Sequence, residues 1–157
     1  MGISIVLYRV ATANEFEELK NLTSQIDPSK SVNLYQVTQD LGIIFMNTAN
    51  PYRNTMTVQY RMLYGKYLDE KAGNRIINGF VSSKEIISIC EWIRNTKVDT
   101  YDGFSQMYDN LSKDALQELI EIGADDKESL FSAYIQPLTL FYLSALEEKN
   151  SIIICGE

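Results

Sequence analysis

The sequence has 157 residues, room for one domain with a sizeable core, and its 45% hydrophobic and 22% charged residues place it in the ordinary globular class, outside the disordered one. A net charge of −7 argues against a uniformly basic surface for nucleic acid, because phosphate neutralisation needs clustered Lys and Arg. The sequence contains no histidine, which excludes Ser-His-Asp and Cys-His arrangements and imidazole metal sites; any catalysis would rest on carboxylates, Lys, Tyr or thiols.

Ile3–Tyr8, ISIVLY, is a continuous apolar run rich in β-branched residues, the pattern of a strand buried on both faces. Thr12 and Glu15 have capping-box spacing, and Phe16, Leu19 and Leu22 supply a helical stripe that ends at Pro28. Leu34, Val37, Leu41, Ile44 and Phe45 recur at spacings of three and four, which predicts a helix across NLYQVTQDLGIIFMNT. In MTVQYRMLY, Met56, Val58, Tyr60, Met62 and Tyr64 alternate with polar residues, predicting a half-buried strand. GKYLDEKAGN reads as a turn region and RIINGF as a second strand, so the simplest arrangement is a hairpin.

Ser82 and Glu85 form a second capping box, before a helix lined by Ile86, Ile89, Cys90 and Ile93. TYDGFSQMYDNL predicts a short helix, unless Gly103 breaks it. Ser112 caps KDALQELIEIG, which ends at Gly123. Leu130, Tyr134, Leu138, Phe141 and Ala145 keep one helical phase through Pro137, predicting a single helix kinked there. Asn150 stops it, and SIIIC follows as a buried strand whose natural counterpart is the N-terminal run; the two are expected in one sheet, as candidate neighbours.

Several of these segments resemble, in order, the bacterial YfbM-like family, a domain family of unknown function. They are MGISIVLYRV followed by TANEFEEL, then VNLYQVTQDLGIIFMN, INGFVSSKEIISICEWI, MYDNL and FYLSALEEKNSIII. The family's second helix carries a Trp and a His, where this chain has Tyr35 and Gln39. The resemblance implies an α/β domain with a mixed sheet and several helices, and no established activity. Residues and resemblance together predict a single α/β (α+β) domain over 1–157. Its mixed β-sheet includes the N- and C-terminal strands and is packed by about five helices.

Charge is uneven. Residues 101–157 carry 11 Asp and Glu against three Lys, so all the excess negative charge lies in the last third. Such a face keeps molecules apart in solution and also steers a basic partner. Tyr101–Asp102 recurs as Tyr108–Asp109; seven residues are nearly two helical turns, so the tyrosines share one face and the aspartates an adjacent one. Arg61 lies opposite the apolar positions of the expected strand and is a candidate surface residue. Tyr101, Asp102, Tyr108, Asp109 and Arg61 are therefore the partner-binding candidates. Asp125 and Asp126 sit where a helix starts and are too few for a calcium loop. Cys90 and Cys155 lie on apolar runs, as buried reduced thiols do. No catalytic residue, metal site or cofactor is expected.

There is no basic, apolar leader at the start, no C-terminal prenylation box, and no stretch that reads as a membrane span. The expected protein is cytoplasmic and non-enzymatic, a monomer or weak homodimer that binds a basic protein partner, and neither nucleic acid nor membrane. An immunity-type inhibitor of a basic toxin is one such role. The alternative is a small-ligand sensor or enzyme using Tyr and carboxylates, with its pocket in the central hairpin or at Pro137.

Overall fold

A computed structural model describes residues 3–157. The Met-Gly opening of the family resemblance lies outside them. A five-stranded sheet has the order β2-β1-β5-β4-β3. Its strands are β1 (Ile5–Val10), β2 (Ser31–Tyr35), β3 (Lys66–Ala72), β4 (Arg75–Val81) and β5 (Ser151–Gly156). The two terminal strands are neighbours, with Leu7 opposite Ile154 and Tyr8 opposite Ile153. All four pairings are antiparallel, so the sheet is not mixed in direction as expected.

β5 lies at the centre of the sheet, and Ser151 through Cys155 are all buried. Alternation divides them. Ile152 and Ile154 join Leu7 and Val81 in the large core under the helices, while Ile153 and Cys155 join Val6, Tyr8, Ile77 and Phe80 on the other face. The C-terminal apolar run is therefore the middle of the fold.

The helices are α1 (Leu22–Gln25), α2 (Thr38–Met46), α3 (Val58–Tyr64), α4 (Ser83–Thr96), α5 (Tyr101–Asp109), α6 (Lys113–Glu121) and α7 (Lys127–Glu148). Ser82, Thr100, Ser112 and Asp126 cap α4 to α7, each side chain accepting a backbone N–H of the first turn. The α4 stripe Ile86, Ile89, Cys90 and Ile93 is buried as its spacing predicts. α7 continues through Pro137 as one helix, as expected. It accommodates the missing N–H with a π turn over Phe131–Ile135, in which the Gln136 N–H reaches the Phe131 carbonyl. Lys149 then turns left-handed at φ 57° and the Asn150 N–H returns to the Ala145 carbonyl at 2.8 Å, dropping the chain into β5.

α7 is long and apolar enough to cross a membrane, contrary to the expectation that no stretch qualifies. Here Leu130, Ile135, Leu138, Phe141, Tyr142 and Ala145 are buried in the core. The Tyr142 hydroxyl donates to the Met62 carbonyl at 2.7 Å, tying α7 to α3.

The middle of the chain differs from its sequence reading. Residues 12–22 do not form a Thr12-capped helix. Thr12 Oγ1 donates instead to the Lys149 carbonyl, Ala13 bonds Ser151 Oγ, and only a 3₁₀ turn (Phe16–Glu18) and α1 form, separated by Asn21 at φ 53°. Tethering to β5 outweighs the capping signal. The helix expected from Asn33 begins at Thr38, because β2 takes 31–35 with Val32 and Leu34 inward and Tyr35 turns at φ 49°.

The expected strand MTVQYRMLY is the helix α3. Thr57 caps it by accepting the Tyr60 N–H at 3.1 Å, and Tyr60 and Tyr64 stack one turn apart at 4.7 Å. The expected turn region is the first hairpin strand, β3, whose charged, exposed side chains suit a sheet edge. α3 ends against β4 backbone to backbone. Gly65 leaves the helix at φ 66°, and a Cβ on Gly79 would run into the Tyr64 carbonyl oxygen.

Candidate functional site

The partner-binding candidates fall in two separate places. α5 carries Tyr101, Asp102, Tyr108 and Asp109. Gly103 does not break it; a Cβ there would meet the Lys97 carbonyl, so glycine lets the helix start tightly against the preceding turn. The tyrosines share a face, as the spacing predicts. Tyr101 packs edge-on to Phe131 at 5.5 Å, Tyr108 edge-on to Phe104 at 6.1 Å, and Phe104 to Phe131 at 5.9 Å. Tyr101 therefore fastens α5 to α7 directly, and Tyr108 backs the Phe104 ring, which makes the second contact with Phe131.

Asp109 is fastened too. Lys127 Nζ donates to its Oδ1 at 2.8 Å and to Ser105 Oγ at 3.0 Å, and stands 5.6 Å over the Tyr108 ring. The hydrogen bond to Asp109 raises the Lys127 pKa. Asp126 caps α7, and two bonds from Ser129 hold its carboxyl below the usual range. Asp102 is exposed and makes no ion pair among the described residues.

Around these anchors the acidic groups gather. Residues 101–130 carry eight carboxylates and two lysines, so six of the seven net negative charges fall in this segment. Asp40 of α2 extends the patch; burial raises its pKa, and Asp125 adds to the rise. The Ser112 N–H bonds Asn47 Oδ1 at 2.7 Å, holding the start of α6 to the end of α2. α6 buries Ala115 and Leu119 while leaving Leu116 38% and Ile120 65% exposed. Leu116 and Ile120 stand one turn apart beside Asp114, Glu118 and Glu121. Sequence reasoning passed over this pair, although two adjacent apolar stripes on one short helix, Ala115 with Leu119 and Leu116 with Ile120, are the signal of a second contact face.

Arg61 is elsewhere, on α3, and faces α4. Its Nε donates to the Thr55 carbonyl at 3.1 Å, Nη2 to Met56 Sδ at 3.4 Å, and Nη1 lies 3.6 Å from Glu85 Oε2. It lines a cleft of about 290 Å³ together with Met56, Val58, Glu85, Ser88 and Ile89. Helical geometry, and not the expected alternation, sets this direction. A smaller cleft of about 180 Å³ opens at Pro137, between Arg9, Lys30 and Phe141.

Both thiols are free and buried. Burial pushes Cys90 up to about 11 and Cys155 to about 12, the opposite of an activated nucleophile. Among the described residues no group of three or more Cys, Asp or Glu is placed to hold a metal ion.

The structure is similar to that of YfbM from Escherichia coli, a protein of unknown function. The TM-score is 0.60 with 13% sequence identity, over 99% of each chain. At that identity the likeness shows a common fold, and it covers nearly the whole chain. No protein-family model matches the sequence, and no curated protein matches it.

Proposed function

We propose that the protein is a non-enzymatic protein-binding module whose acidic helical end docks a basic partner protein. The observation behind this reading is the exposure of Leu116 and Ile120 on α6 within the segment that holds most of the net charge. Apolar anchors inside a charged rim are the usual anatomy of a specific interface. The anchors supply contact area, and the surrounding carboxylates select a basic surface and steer its approach. Asp102 is the α5 carboxylate available to such a partner. Tyr101, Tyr108 and Asp109 position it through the ring cluster and the Lys127 pair. Inhibition of a basic toxin, immunity-fashion, is the specific role that fits this chemistry.

The test is partner capture from host lysate by the intact protein and by Ile120→Lys, at low and high salt. The proposal expects a basic protein whose association slows with salt and is lost on Ile120→Lys, while the variant melts like the parent. Capture that survives both the substitution and high salt contradicts it, as does failure to capture any basic protein.

A further inference from the structure

The cleft between α3 and α4 combines features that the acidic end does not use. One wall is apolar, formed by Val58, by Ile89 at 1% exposure, and by Met56, whose side chain is 80% exposed over the opening. The other presents an ion pair, Arg61 with Glu85, that lacks a hydrogen bond. Arg61 Nη1 and Glu85 Oε2 are 3.6 Å apart, beyond hydrogen-bond length. Glu85 Oε2 is buried with no hydrogen-bond partner. A buried carboxylate oxygen left unbonded is costly, and such a group calls for an explanation.

Arg61 is held ready. The Thr55 carbonyl and Met56 sulfur fix the guanidinium plane through Nε and Nη2, leaving N–H groups on both terminal nitrogens for an incoming oxygen pair. A carboxylate fits that fork. A carboxylate alone would set a second negative charge against Glu85, and an amine alone would face Arg61. A molecule carrying both groups on one carbon gives each protein charge a direct bond and leaves the site neutral. Its side chain then lies on Val58, Ile89 and Met56. The volume, about 290 Å³, suits a molecule of that size.

We propose that this cleft binds a free α-amino acid with an apolar side chain, its carboxylate on Arg61 and its ammonium on Glu85. Glu85 starts in a suitable state for such an exchange: burial raises its pKa against the pull of Arg61 and Lys66, so a bonded ammonium relieves an existing cost. The site is independent of the α6 face, and either can fail without the other.

Isothermal titration of the intact protein with L-leucine, L-methionine and L-phenylalanine tests this, alongside 4-methylpentanoate and 3-methylbutylamine. Saturable binding is expected for at least one amino acid, with both analogues weaker by about tenfold or more, the worth of one charge-assisted bond. Arg61→Met and Glu85→Gln should each weaken the amino acid to a similar extent. Ser88→Phe, at an exposed position on the cleft wall, should block binding and leave the melting temperature unchanged. The proposal is overturned by absence of binding to all three amino acids, by analogues that bind equally well, or by binding that persists in Ser88→Phe.

Discussion

The two faces of the sheet are built from the same strands and covered in different ways. Under the helical face, Leu7, Val81, Ile152 and Ile154 meet α4 and α7, whose stripes are closed to water along their length. On the other face, Val6, Tyr8, Ile77, Ile153 and Cys155 are equally dry, yet their cover is the irregular segment between β1 and β2. Phe16, Leu19, Leu22 and Ile26 do that covering and stay partly exposed. A long helix closes a face through regular packing. An irregular segment does so through single tethers, such as Ala13 to Ser151 Oγ and Ala11 N–H to Gln25 Oε1. Global stability should therefore reside on the helical side, and local opening on the other.

The largest effect expected is from removing the strand both faces share. Deleting Ser151–Glu157 takes out the central strand and leaves β1 and β4 unpaired with each other. The truncated chain should show no cooperative melt by circular dichroism; a melt like the parent's would break the account. Next comes Leu7→Ala on the helical face, expected to cost about 3–4 kcal/mol by denaturant titration, within the range for a fully buried leucine. Gly79→Ala forces a methyl group into the Tyr64 carbonyl where α3 meets β4, and should cost about 3 kcal/mol, the upper part of the overpacking range. Phe16→Ala on the thin cover should cost less, about 1–2 kcal/mol, because its ring is only partly buried against Phe80. Equal costs for Leu7 and Phe16 would erase the distinction between the faces.

The smallest effect is alkaline. Each face holds one buried thiol, raised from the ordinary 9.0 to about 11 for Cys90 and about 12 for Cys155. The unfolded thiols ionise first. Below pH 9 the native and unfolded states carry the same protons on these groups. Above it the native state holds more, so stability falls with rising pH until the folded thiols titrate. Melting temperatures should hold steady up to about pH 8.5 and fall beyond it, less steeply in Cys90→Ala/Cys155→Ala, whose residual slope belongs to the buried tyrosines.

Legibility followed the same division. β1, β5, α4, α5, α6 and α7 could be read because their apolar pattern matches their burial, continuous in the strands and at helical spacing in the helices, and side-chain caps mark the starts of α4 to α7. Between residues 11 and 72 the local signals compete. Met56 to Tyr64 alternate like a strand, yet Thr57 caps a helix and Tyr60 stacks on Tyr64 one turn later. Leu34 and Val37 fit a helical stripe with Leu41 although a strand ends between them. β3 has no apolar alternation to read, because as an edge strand it is exposed on both faces for most of its length. The same error hid the Arg61 cleft: on a strand Arg61 would point to solvent, and on α3 it turns toward Glu85. The Tyr101–Asp109 repeat was readable as geometry, and its rings and one carboxylate turn out to hold α5 in place.

Native-state hydrogen exchange compares the two faces most directly. Amides of Tyr8 and Ile153, in the paired centre of the sheet, should exchange only through global unfolding and follow denaturant with the full slope. Amides of Leu19 and Ser24, held by single turn bonds to Phe16 and Asn21, should exchange faster, through local opening that denaturant scarcely changes. Protection of Leu19 and Ser24 equal to that of Ile153 would contradict the account, for the thin cover would then be as firmly built as the helices opposite.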